Sequence, residues 1–169
     1  MHHSRRSAIA FAALAGISAM PAIAAEPLQI SLPSFSCHSG LYRAKLPSTL
    51  QALRNLGPLK SEVQGDAQDW EGYRTVEKWL RFDGLSVLVV TFSNDPSRYS
   101  LSIVDITSPR WQVSSRFRIG QSASKPLQEL GVSSSQSNGE WRIAGESDAL
   151  ILVVREGRFA HVSYECYTG

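Results

Sequence analysis

Cys37 and Cys166 are the only cysteines in the chain, and both sit among groups that do chemistry. Cys37 lies in "FSCHSG", directly before His38, and Cys166 lies in "HVSYECYTG", behind His161 and Glu165. A thiolate beside an imidazole is the nucleophile of a thiol protease or amidase, because the imidazole takes up the thiol proton. Cys37, His38 and His161 are therefore what a small hydrolase would use. His38, His161 and Glu165 make a second set, two imidazoles and a carboxylate, which zinc accepts. The third chemistry is the simplest: in an oxidising compartment, two lone cysteines near the ends of one domain pair with each other. Pairing removes the nucleophile and leaves surface histidines. The expectation is a Cys37–Cys166 disulfide, with no enzymatic activity, no resident metal and no cofactor. Closing a loop of roughly 130 residues would stabilise the fold by about 4 to 5 kcal/mol on the chain-entropy account. The chain has no Gly-x-Ser-x-Gly elbow, no phosphate loop and no His-Glu-x-x-His pair.

The N-terminus supplies the compartment. Arg5 and Arg6 precede an apolar run from Ala8 to Met20, and "PAIAAEP" then offers the small residues Ala22 and Ala24 that a signal peptidase accepts. Residues 1–25 read as a signal peptide, so the protein is expected in the periplasm or outside the cell. Whether export follows the general or the twin-arginine route is left open. Nothing beyond residue 26 approaches the roughly 20 apolar residues of a membrane-spanning helix, so no integral membrane insertion is expected. Without Arg5 and Arg6, the 17 basic residues become 15 and match the 15 acidic ones. That balance gives no reason to expect nucleic acid as a partner. Residues 26–169 have the length of one domain.

The elements that must position these groups read mainly as strands. "YRTVEKWLRFDGLSVLVVTF" is two runs of β-branched and aromatic residues around Asp83-Gly84, a strong hairpin signal. Tyr99–Ile106 and Trp111–Ile119 suggest a second pair turned by "TSPR". Trp141–Ala144, Ala149–Val154 and Arg158–Tyr167 follow a Ser-rich loop, the last two joined through Glu156-Gly157. "LSVLVV" and "ALILVV" are nearly continuous apolar runs and so read as central strands covered on both faces. One helix is expected near Pro47–Leu56, with Leu46, Leu50, Leu53 and Leu56 on one side and Gly57-Pro58 as its stop. Another is expected near Lys125–Leu130, with Ser124 as N-cap and Gly131 as C-cap. The fold class is α+β: an antiparallel sheet with short helices on one face.

The elements also repeat. "LRNLG" at 53–57 answers to "LQELG" at 127–131, "LSVLVV" at 85–90 to "ALILVV" at 149–154, and "RYSLSIVD" at 98–105 to "RFAHVSYE" at 158–165. The order suggests an internal duplication of a helix-plus-three-strand unit, with repeats over 41–110 and 111–169. Leu53, Leu56, Gly57 and Pro58, answered by Gly120, Leu127, Leu130 and Gly131, give the chain a pattern that resembles the tandem-repeat fold of the β-lactamase inhibitory protein. It also resembles the related small lipoproteins that assist outer-membrane barrel assembly. The chain departs from the inhibitor in having one end-to-end cysteine pair, and from the lipoproteins in lacking a lipidated cysteine. The resemblance implies a sheet surface that binds another protein, without catalytic residues to carry over.

Alternation along Tyr73–Phe82 sets Val76, Leu80 and Phe82 on one face and Tyr73, Thr75, Glu77, Trp79 and Arg81 on the other. The same reasoning places Arg116 and Arg118 on the polar side of the expected strand Trp111–Ile119. Tyr73, Trp79, Arg81, Arg116 and Arg118 are thus the expected binding patch, since aromatic and arginine side chains dominate interface energetics. The favoured function is an exported, non-enzymatic module of inhibitor, immunity or envelope-assembly type whose partner is another envelope or extracellular protein. The alternative is a carrier of a glycan or lipid, with Trp70, Trp79, Trp111 and Trp141 available to line a site.

Overall fold

The computed structural model describes residues 27–114, 116–133 and 138–168. The expected signal peptide over 1–25 lies outside them. In chain order the elements are β1 (Leu28–Ser31), α1 (Leu50–Arg54), β2 (Ser61–Trp70), β3 (Tyr73–Phe82), β4 (Leu85–Phe92), β5 (Asp95–Ile106), α2 (Ser124–Glu129), β6 (Gly139–Ala144), β7 (Ala149–Arg155) and β8 (Arg158–Glu165). The strands form a single sheet in the order β1-β6-β7-β8-β5-β4-β3-β2. Every pairing is antiparallel except that of β1 with β6.

The hairpin of β3 and β4 turns at Asp83-Gly84 as expected. Gly84 has φ +72°, and a Cβ there would lie 2.3 Å from the Ser108 Cβ, so only glycine makes this turn. Thr49 caps α1 by accepting the Ala52 N–H at 3.3 Å, and Leu50 and Leu53 face the core. In α2, Ser124 is the first helical residue and not the cap. Its hydroxyl meets that of Ser122 at 3.2 Å, and Leu127 is the buried residue. Both helices lie on the same face of the sheet, where Leu50, Leu53 and Leu127 join Leu80, Val87, Val104, Leu152 and Val162 in one core. Trp141 and Tyr164 are the largest fully buried side chains there, and burial pushes the Tyr164 hydroxyl up to about 12.

Three expectations are corrected. Trp111–Ile119 does not form a strand, because β4 and β8 already occupy both sides of β5. Instead Ser114 is buried and its hydroxyl accepts the N–H groups of Arg116 and Phe117, a local turn that competes with a ladder. Val113 and Phe117 plug the core from this loop. Secondly, β7 is covered on one face only, and β4 on its open face encloses Leu88 but not Val90. Val87, Val89, Leu150 and Leu152 are fully buried, whereas Val90, Ile151 and Val153, on the opposite face, are half-buried. Lastly, β2 was not expected. Its ten residues are nearly all exposed, and "SEVQGDAQDW" has the Gly and Asp content that strands usually lack. It forms because β3 offers a free edge, which β2 meets through the Glu71-Gly72 turn and the ion pairs Lys78–Glu62 and Arg74–Asp69.

Candidate functional site

The predicted bridge is present. Cys37 and Cys166 are joined, with Cα atoms 5.7 Å apart, and no free cysteine remains. Neither sulfur can act as a nucleophile while the bridge stands. His38 is exposed. His161 and Glu165 do share a strand face, but each has its own partner: His161 Nε2 lies 3.2 Å from Asp105, and Arg142 donates to Glu165 at 2.5 Å. The hydrogen bond from His161 holds the Asp105 carboxyl below its usual value, against the opposing effect of burial. Among the described residues, no group of three His, Cys, Asp or Glu side chains could hold a metal, and no helix is long and apolar enough to cross a membrane.

The face of the sheet away from the helices is the other candidate. Register fixes which residues share it. Val63 pairs with Trp79, Trp79 with Leu88, and Leu88 with Ile103, so an apolar row crosses β2, β3, β4 and β5. Leu88 is only 6% exposed yet lies outside the main core, because its cover comes from this second face. Val63, at the edge, is 46% exposed. The next row holds Arg81, Ser86, Asp105 and Ser163. The Arg81 guanidinium lies over the Trp79 ring at 5.8 Å. A hydrophobic row is thus flanked by Arg81, the Asp105–His161 pair and the Arg142–Glu165 pair.

Of the expected patch, Tyr73, Trp79 and Arg81 are on this face, all on β3. Arg116 and Arg118 are not. Both lie in the loop before α2 and not on a strand of the sheet, and Arg116 is on the helix side, where it donates to Glu129 of α2 at 3.0 Å. The tryptophans divide similarly. Trp141 is core, Trp111 packs on Phe82 and donates to the Asp83 carbonyl at 2.7 Å, and Trp70 and Trp79 are on the open face.

Beyond Trp79 the open face deepens into a groove of about 900 Å³ between β2 and β5. Trp70 and Tyr73 lie directly opposite each other, with rings 6.2 Å apart and 11° from parallel, and Phe92 lies 6.2 Å beyond Tyr73. Trp70 is 48% exposed but fixed: its Nε1 donates to the Thr75 hydroxyl at 3.1 Å, which in turn donates to the Gln68 carbonyl at 3.3 Å. Sequence reasoning missed this groove because one of its walls, Asp66 to Trp70, is built by β2. Trp70, beside a Gly turn and opposite Tyr73, was the one available signal.

No family model matches the chain, and no match is found among curated proteins or solved structures.

Proposed function

We propose that the protein is an exported, non-enzymatic binding module whose open sheet face receives another envelope or extracellular protein. The observation that carries this is the row Val63, Trp79, Leu88 and Ile103 on a face that neither helix covers. An apolar centre with an arginine-stacked tryptophan and a charged surround is how protein interfaces are composed. A sheet closed by a disulfide is a preformed surface, so little ordering is lost on binding. The disulfide agrees with an oxidising periplasmic or extracellular site, and the leader-like residues 1–25 agree with export.

Duplication and the resemblance to tandem-repeat inhibitors belong to the same proposal. β4 and β7, matched by sequence, take corresponding places on either side of the junction between β5 and β8. "RYSLSIVD" and "RFAHVSYE" align Val104 with Tyr164, and these two residues pair at that junction. The test of function is to cross-link residues 26–169 to envelope extract, identify the captured protein and measure its affinity for the native chain and for Trp79→Ala. Loss of affinity at an unchanged melting temperature supports the reading. Equal affinity removes the open face from it.

A further inference from the structure

The β2 bulge gives the groove beyond Trp79 a chemistry of its own. Gln64 pairs with Lys78 and Ala67 with Val76, so two residues, Gly65 and Asp66, face the single Glu77. A bulge re-aims side chains, and here it brings Asp66 into the lining with Glu77. Gly65 leaves little room here: a Cβ there would lie 3.2 Å from both the Cβ and Oε2 of Glu77, so a side chain at this position pushes the Glu77 carboxylate aside. The groove therefore has two carboxylates on one side and the Trp70, Tyr73 and Phe92 rings along it, with the Arg98 guanidinium 4.5 Å over the Phe92 ring.

We infer that this groove binds a neutral oligosaccharide. Ring faces carry negative quadrupole charge and attract the polarised C–H faces of a sugar. Carboxylates accept sugar hydroxyls and a guanidinium donates to ring and hydroxyl oxygens. The lining holds both signs of charge. A cationic ligand would meet Arg98 and an anionic one would meet Asp66 and Glu77, while a neutral polyol is served by both. Trp70, held by Thr75 before any ligand arrives, loses little freedom on stacking. This inference stands apart from the Trp79 row, since Trp79 does not line the groove.

The test is calorimetric and fluorescence titration of residues 26–169 with the neutral tetrasaccharides cellotetraose, chitotetraose and maltotetraose, against tetragalacturonate and fully deacetylated chitosan tetramer. At least one neutral oligomer should bind saturably and more tightly than the charged ones. Trp70→Ala should weaken that binding by about tenfold or more, the loss of one stacked ring, with the melting temperature retained. Gly65→Ala should weaken it too by displacing the Glu77 carboxylate, while Trp79→Ala should leave it unchanged. The inference is overturned if no neutral oligomer binds at millimolar concentration, if a charged oligomer binds more tightly, or if Trp70→Ala binds as the native chain does. None of those results touches the protein-binding reading, which rests on Trp79.

Discussion

Asp148 holds Cys37 from the other end of the chain: its Oδ2 accepts the Cys37 backbone N–H at 2.8 Å. The second oxygen, Oδ1, accepts the Tyr167 N–H at 2.7 Å, so one carboxylate ties down both segments that carry the disulfide. Asp148 is 8% exposed, and hydrogen bonds to a buried charge are costly to lose. Asp148→Ala should therefore destabilise the oxidised protein by about 2 to 4 kcal/mol in urea unfolding, and Asp148→Asn, which keeps one acceptor, by less. A cost under about 0.5 kcal/mol for Asp148→Ala would show that the bridge alone holds these segments.

Alkylation of the native, unreduced protein should modify neither cysteine. Replacing both cysteines by serine should cost about 2 to 5 kcal/mol, because the unfolded chain is then no longer closed into a loop. Labelled thiols in the native protein would remove the bridge and return Cys37 and His38 to consideration as a nucleophile and its base.

The two faces of the sheet should respond unequally to truncation. Leu152 is fully buried in the core, and Leu152→Ala should cost about 2 to 5 kcal/mol. Val153, the next residue, is half-buried on the open face, and Val153→Ala should cost about 1 kcal/mol or less. Equal costs would mean that the open face is covered as thoroughly as the core.

This asymmetry also explains what could and could not be read from the residues. The β3–β4 hairpin, the helix at Leu50 and Leu53, and the β7–β8 hairpin were legible because local signals, Asp83-Gly84 and Glu156-Gly157 among them, agree with the fold. The disulfide was legible because only two cysteines exist. The apolar runs at 85–90 and 149–154 suggested cover on both faces, but a partly open apolar face leaves the same trace as a buried one: Val90, Ile151 and Val153 are apolar without being enclosed. Trp111–Ile119 has the composition of a strand, yet strand formation needs a free edge, and β5 has none to give. β2 is the converse, a polar segment made into a strand by the edge that β3 offers. Its absence from the sequence reading concealed the groove, since Asp66, Gln68 and Trp70 come from it.

Acid should weaken the link between α1 and β2. The hydrogen bond from Arg54, at 2.8 Å from Nε and 2.6 Å from the second nitrogen, holds Glu62 below its ordinary value of 4.5. A carboxyl depressed in the folded state contributes stability above its unfolded value and loses it as pH falls through the folded one. Glu62→Gln should thus cost up to about 1 kcal/mol at pH 7, the scale of a surface pair, and progressively less as pH falls below 4.5 and Glu62 of the folded protein takes up its proton. A cost that persists in acid would assign the effect to shape, not charge.

The open face is tested most directly by the affinity of the captured partner for three chains measured side by side: native, Trp79→Ala and Arg116→Ala. Trp79 is in the apolar row and Arg116 is on the helix side, paired with Glu129. The expected result is a loss of about tenfold or more for Trp79→Ala, as for an interface anchor, with Arg116→Ala unchanged and both melting temperatures close to native. Undiminished affinity in Trp79→Ala together with a loss in Arg116→Ala would place the partner on the helix side and contradict the account.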